Sequence, residues 1–198
     1  MKFITNSKIE IDRELSDLDY FAIAFTKILE KHASYVIVSG YVSILLGRAR
    51  ASEDIDIIIP KIDFPTFQSL FKKLIQNGFY CLNAEKNTDI FEYLTENIPI
   101  RFAKRGTIIP NIELKCAKNK FDKLALEKTI TVELPDAKIC ISHLELQIAF
   151  KEVVLKSPKD LEDARHLRKI AEGYIDEKLI QQYKEQLHAF FYKRKSKR

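Results

Sequence analysis

The spacing of apolar side chains alternates along the chain between a helical and a strand period. From Asp17 to His32 the apolar positions Leu18, Phe21, Ala22, Phe25, Ile28 and Leu29 fall three and four residues apart, which predicts a helix. Tyr35–Val38 is a short run of β-branched type and predicts a strand ending at Ser39-Gly40. Tyr41–Leu46 then predicts a short helix closed by Gly47. Asp54-Ile55-Asp56 followed by Ile57-Ile58-Ile59 predicts the next strand. Pro60–Phe64 reads as a turn, Thr66–Gln76 as a helix stopped by Asn77-Gly78, and Phe79–Leu82 as a strand. A short helix over Asp89–Thr95 precedes strands at Ile98–Phe102 and Asn111–Cys116. A helix near Phe121–Leu126 and strands at Thr129–Leu134 and Lys138–Ile141 complete this mixed half. From Ser142 onward the pattern is helical, with helices at His143–Leu155, Pro158–Ala171 and Asp176–Phe191. Ser142 and Glu145 form a capping-box pattern for the first of these, and Pro158 stands at the first position of the second. No repeat or low-complexity linker divides the halves, so they are expected to pack together.

Composition narrows the class. With 46% hydrophobic residues in 198, a sizeable core is expected. No run of about eighteen uncharged apolar residues exists, so no membrane span is expected. The first residues lack a signal-peptide core, and a cytoplasmic protein is expected. Cys81, Cys116 and Cys140 lie in apolar or strand-like runs without CxxC spacing, which favours buried free thiols over a zinc site. The excess of 33 Lys and Arg over 28 Asp and Glu is carried entirely by Lys193, Arg194, Lys195, Lys197 and Arg198. The body is therefore neutral. The tail reads either as a solubilising terminus or as a nonspecific contact for RNA or another polyanion.

Candidate chemistry centres on Asp54 and Asp56. Two residues apart on a strand, they project from one face, while Ile55 and Ile57 face the core. Two carboxylates held that close are costly to ionise together unless a cation sits between them. Hard oxygen ligands in a pair suit Mg²⁺, which takes its remaining ligands from water and substrate phosphates. Such a pair is also what an ordinary solvated loop margin carries. The surroundings favour the metal: strand, Ser39-Gly40 turn and helix start make an anion site, followed by the basic, hydroxyl-bearing loop Arg48–Ser52.

Ser39-Gly40, the short helix and Ser52-x-Asp54-x-Asp56 together resemble the signature of the polymerase-β-like nucleotidyltransferase superfamily. The form Gly47-Arg48-x-Arg50-x-Ser52-Glu53-Asp54-Ile55-Asp56 is most similar to the abortive-infection toxin branch and to small archaeal and bacterial relatives. The resemblance implies an α+β fold with a mixed-sheet core and flanking helices. With the helical pattern from Ser142 and the basic run after residue 192, this gives a nucleotidyltransferase core over 1–141, a C-terminal helical region over 142–192 and a basic tail over 193–198. The chain is then one domain with a helical appendage or two small ones. The resemblance also implies Mg²⁺, a nucleoside triphosphate as donor and an RNA, protein or small-molecule hydroxyl as acceptor. For the toxin branch it implies an antitoxin partner as well. Ser39, Gly40 and Ser52 would hold the donor's phosphates, and Asp54 and Asp56 the metal.

A third carboxylate is normally recruited from a neighbouring strand in that family, and Glu113 is the acidic residue best placed for it, as metal ligand or general base. Its other reading is an exposed strand charge paired with a lysine. Further on, Lys151 and then Lys159-Asp160-Leu161-x-Asp163 resemble the C-terminal motif of the same branch. By that resemblance Lys151 would meet a donor phosphate, and Lys159 and Asp160 would orient it or the acceptor. Taken by pattern alone, the stretch is a capped helix start. One residue departs from the family pattern: Tyr41 stands where glycine or serine is usual. A ring there is expected to crowd a triphosphate, which makes an inactive nucleotide-binding module of the same fold the alternative. The four histidines (His32, His143, His166 and His188) form no HxxxH or triad-like group, which disfavours histidine-based hydrolysis.

Overall fold

A computed structural model of the chain describes residues 1–192. The basic tail expected over 193–198 lies outside the described residues. Nine strands form one mixed sheet: β1 (Lys2–Thr5), β2 (Lys8–Glu10), β3 (Val36–Val38), β4 (Asp54–Ile59), β5 (Phe79–Cys81), β6 (Ile100–Lys104), β7 (Asn111–Cys116), β8 (Thr129–Leu134) and β9 (Ala137–Ser142). Their order across the sheet is β1-β2-β8-β9-β3-β4-β7-β6-β5. At the centre β3 and β4 are antiparallel, while β4 and β7 are parallel with Asp56 opposite Glu113.

The period-two alternation read along β4 is realised. Ile55, Ile57 and Ile59 are fully buried, as are Ile112 and Leu114 opposite them on β7. Each such side chain contributes roughly 1.5–3 kcal/mol on burial. Helices α1 (Asp17–Leu29) and α3 (Phe64–Gln76) cover this face. Their Phe25 and Phe71 rings meet Phe102 of β6, with centroids 5.6 and 6.3 Å apart. The opposite face carries Asp54, Asp56, Glu113 and Lys115. It is partly roofed by α5 (Lys120–Glu127) and α6 (Leu144–Phe150), whose Phe121, Leu146 and Phe150 line a cavity against it.

Several expectations need correction. The N-terminal hairpin of β1 and β2 was not predicted; β2 is tied to β8 in parallel, a contact more than a hundred residues away. Helix α3 begins at Phe64 inside the expected turn, because the Asp63 carboxylate accepts from the Thr66 N–H at 3.0 Å. Ser142 is not an N-cap. Strand β9 runs through it, and its hydroxyl accepts from Gln147 Nε2 at 2.8 Å; His143 starts α6 without a side-chain cap. The long helix expected over His143–Leu155 changes winding at Lys151, where Lys151–Leu155 forms a π-helical turn ended by Lys156 in the left-handed region. Helix α7 (Pro158–Ile170) starts as expected, with Ser157 as N-cap and proline first, and α8 (Glu177–Phe191) completes the chain. The three cysteines are free thiols, and no described helix is long and apolar enough to cross a membrane.

His143 carries a pH dependence into this arrangement. Its Nδ1 lies 3.1 Å from the Lys128 carbonyl, which can only accept, so Nδ1 bears the proton. Among the described residues its Nε2 is buried without a hydrogen-bond partner, and burial pushes the imidazole down to about 4. The unfolded chain, at about 6.5, binds the proton first, so stability falls as pH drops from about 6.5 toward about 4. Between pH 7 and pH 4.5 wild type should lose about 2 kcal/mol more than His143→Gln, measured by urea unfolding. A wild-type-to-variant difference that stays flat across that range contradicts a neutral buried histidine.

Candidate active site

The strand pairing assembles the acidic residues. Asp54 and Asp56 share one face of β4, and the parallel register with β7 sets Glu113 beside Asp56. Burial is the main cause that raises the Asp56 carboxyl above the usual carboxylate range; Glu113 and Asp54 add to it, while Lys115 and a Ser39 hydrogen bond oppose it. A carboxylate kept in that state next to two others is a position where a divalent cation removes a real electrostatic cost. Among the described residues no three His, Cys, Asp or Glu side chains already converge as a metal cage. Mg²⁺ is bound through one or two carboxylates completed by substrate phosphates, and the Asp54–Asp56 pair with its hard oxygens fits that requirement.

Glu113 is half-buried and engaged: Arg101 of β6 donates to its Oε2 from Nη2 at 2.7 Å and Nε at 3.2 Å. The expected partner of this strand charge was a lysine; it is an arginine. Ser52 is bound to Asp54, its hydroxyl donating to the Asp54 carbonyl at 3.0 Å and reaching Oδ1 at 3.3 Å.

The turn before α2 (Gly40–Leu45) is unusual. Ser39 has φ 67°, a left-handed conformation that costs a non-glycine residue about 1–3 kcal/mol and persists only when neighbours hold it. Its N–H donates to Gln147 Oε1 of α6 at 3.2 Å, and its side chain is near enough to Asp56 to lower that carboxyl slightly. Tyr41 does not crowd this turn, which corrects the expectation. Its ring is fully buried, and its hydroxyl donates to Asp19 Oδ1 of α1 at 2.8 Å. Asp19 is held further by Arg13 at 2.8 Å and by the Ser16 hydroxyl at 2.7 Å. Burial alone would raise the Asp19 carboxyl, and these donors together bring it below its ordinary value.

The C-terminal motif residues fall into two environments. Lys151 and Asp160 are buried, and Lys151 Nζ lies 2.7 Å from Asp163 Oδ2 and 3.9 Å from Asp160 Oδ1. Lys159 is exposed on the first turn of α7, and its carbonyl accepts from Arg48 at 2.9 Å. Asp163 is the centre of this group, also taking Arg48 and Arg50. Burial would raise its carboxyl, but Lys151, Arg48 and Arg50 outweigh that and hold it below the usual range. Arg48, Arg50 and Asp163 were not among the predicted site residues. The basic loop and the acid one turn after Asp160 were visible, but not that the two meet. Lys115, lining the cavity beside Asp56, was missed too; its signal is the alternation with Glu113 on β7.

The same architecture occurs in solved structures. No family model matches the chain, and no curated protein matches it in sequence. An antigenic nucleotidyltransferase-like protein from Paracoccidioides brasiliensis superimposes with TM-score 0.50 at 15% identity, covering 89% of each chain. The antibiotic-resistance factor ANT(2'')-Ia superimposes with TM-score 0.55 at 12% identity, covering 91% of this chain and 97% of that one. The fold is a nucleotidyltransferase fold. Within this nucleotidyltransferase fold the acidic strand face, the Ser39–Gly40 turn and the Asp163 cluster lie together. Arg50 joins them, since its guanidinium rests against Gly40 while bonded to Asp163.

Proposed function

We propose that the chain is a Mg²⁺-dependent nucleotidyltransferase. It moves a nucleoside monophosphate from a nucleoside triphosphate to a hydroxyl acceptor with loss of pyrophosphate. The observation that carries this reading is Asp56. It sits buried on a sheet face beside Asp54 and Glu113 and is tied through Ser39 to the turn at the start of α2.

Asp54 and Asp56 are the residues that would hold Mg²⁺, with Glu113 alongside. Bound there, the ion would supply charge neutralisation at the leaving pyrophosphate and a lowered pKa for the acceptor hydroxyl. Ser52 orients Asp54 through its hydrogen bonds. Gln147 and Ser39 fix the turn that borders Asp56. Glu113 takes the acceptor's proton once Arg101, which occupies its Oε2, has been drawn away by the acceptor or donor. Lys159 is the exposed cation of the C-terminal group and is available to an acceptor. A cavity of about 160 Å³ opens beside Ser39 and Asp56, with Phe121, Leu146 and Phe150 on its apolar side. Such a space suits a flat base, with the rest of the nucleotide at the open rim.

The buried Tyr41 ring, turned toward Asp19, supports the enzyme reading over an inactive module of the same fold. Incubating cell extract with each α-labelled triphosphate should transfer label with wild type and not with Asp54→Asn. No transfer from any of the four rejects the enzyme reading. The likeness of the Gly47–Asp56 segment to the abortive-infection toxin branch makes an essential RNA or protein acceptor the finer reading, with an antitoxin as partner. Slowed growth on expressing wild type but not Asp54→Asn supports it, and equal growth removes it. A small-molecule hydroxyl is then the remaining acceptor class.

A further inference from the structure

Three cations converge on one buried carboxylate, and one of them lies on the turn that borders the acidic strand. Asp163 has no exposed surface and accepts from Arg48 Nη1, from Arg50 Nη1 at 2.5 Å and from Lys151 Nζ at 2.7 Å. Asp160 is the second carboxylate of the group, and the Ser157 hydroxyl donates to it. Three positive charges against two negative leave one unbalanced in a poorly solvated place. A further anion is what such a place accommodates.

Among the described residues Arg48 and Arg50 each keep a guanidinium donor without a hydrogen-bond partner, and Arg50's is the one set against the Gly40 turn. Arg50 Nη1 is held by Asp163, and its Nε donates to the Ala51 carbonyl at 3.3 Å. Among the described residues its Nη2 has no hydrogen-bond partner. That atom faces the turn: a Cβ added to Gly40 would stand 3.1 Å from Nη2 and 3.2 Å from Cζ and Nη1. Gly40 is not in the left-handed region, so what glycine supplies here is space for the guanidinium. The next residue back, Ser39, lines the same cavity as Asp56.

We propose that Arg50 is the residue that grips the donor's terminal phosphates, with Asp163 as its positioning residue and Lys151 as the anchor of Asp163. The assignment rests on the nucleotidyl-transfer reading of the site. A planar guanidinium pinned along one edge offers its remaining N–H groups to phosphate oxygens in a fixed direction. Recognition of this kind discriminates by phosphate number and is indifferent to the base. Lys151 is wholly buried against Asp163, so its charge is already satisfied.

The test is calorimetric titration of wild type, Arg50→Gln and Arg50→Lys. The ligands are inorganic tripolyphosphate, the four nucleoside triphosphates with Mg²⁺, and the matching monophosphates. Arg50→Gln should bind tripolyphosphate and the preferred triphosphate about 10- to 100-fold more weakly, as expected for loss of charge-assisted hydrogen bonds. Its affinity for the monophosphate should stay within about twofold, because that ligand lacks the groups Arg50 meets. Arg50→Lys keeps a cation beside Asp163, and with it the fold, and should recover only part of the affinity. Equal triphosphate affinity in wild type and Arg50→Gln overturns the assignment, as does a loss that extends equally to the monophosphate. Wild type that binds tripolyphosphate through Arg50 but no nucleoside triphosphate rejects the donor reading and upholds the anion site. Wild type that binds neither rejects both.

Discussion

Asp56→Asn is expected to lower nucleotidyl transfer by at least about 100-fold, because metal-borne charge stabilisation is worth several kcal/mol and about 1.4 kcal/mol is a factor of ten. The same change should leave the fold as stable as wild type or firmer. Burial, Glu113 and Asp54 raise the Asp56 carboxyl in the folded state, so its ionised form works against folding. A carboxyl raised on folding destabilises above its folded pKa, and that cost appears as pH rises through it. Asparagine keeps the shape and the Ser39 contact without the charge. The expected pair of results is therefore lost transfer with an unchanged or higher Tm at pH 7. Residues placed for binding or catalysis carry this signature, whereas a residue placed for packing loses both properties together. Wild-type turnover in Asp56→Asn, or its unfolding, would contradict the role assigned to the carboxylate.

Asp163→Ala is expected to be the most destabilising single change in the C-terminal part. It would leave Arg48, Arg50 and Lys151 facing one another around an empty place, with only Asp160 nearby. Breaking a buried ion pair by removing one partner costs about 3–5 kcal/mol, since the remaining charge cannot reach water. Lys151 has no exposed surface with which to do so. The double change Asp163→Leu with Lys151→Met removes both the carboxylate and its most buried cation, and should cost less than Asp163→Ala alone. Urea unfolding of the three proteins at pH 7 measures this. A loss below about 1 kcal/mol for Asp163→Ala would mean that the cluster is solvated and does not brace the site. The stabilisation from Asp163 is also pH-dependent: its carboxyl lies below its ordinary value, so the contribution is present at neutral pH and lost in acid.

What was legible in the sequence follows from how local each feature is. Strand β4 announces itself, because alternation of Asp54 and Asp56 with Ile55 and Ile57 is a property of six consecutive residues. Helix α1 is equally local, its apolar stripe lying within one segment, although its Ser16 cap was not read from the sequence. The β1–β2 hairpin was not legible. Only Ile9 of its seven strand residues is fully buried, and the partner that orders it is β8. Ser142 with Glu145 satisfies the local pattern of a capping box, yet the pairing of β9 with β8 keeps Ser142 in the sheet. Tyr41 is the clearest case of direction overriding adjacency. It neighbours Gly40 in sequence, but its helical geometry sends the ring inward to Asp19, twenty-two residues earlier.

The site divides along the same line. Strand periodicity puts Asp54 and Asp56 on one face and Glu113 with Lys115 on one face of β7; Glu113 became a candidate through the resemblance, and the register that sets it opposite Asp56 came from the structure. Arg48 and Arg50 lie in a visibly basic loop, but their partner Asp163 is more than a hundred residues distant. No local pattern encodes that meeting. Gly40 likewise reads as a turn glycine, whereas its position against Arg50 makes it a matter of space.

The most direct measurement is a paired-label transfer assay with one preparation of acceptor and the preferred triphosphate. Label in the α-phosphate should enter the acceptor with wild type, label in the γ-phosphate should leave as pyrophosphate, and neither should move with Asp56→Asn. Incorporation of γ-label, release of γ-label as inorganic phosphate, or α-transfer undiminished in Asp56→Asn would contradict nucleotidyl transfer at the Asp54–Asp56 strand.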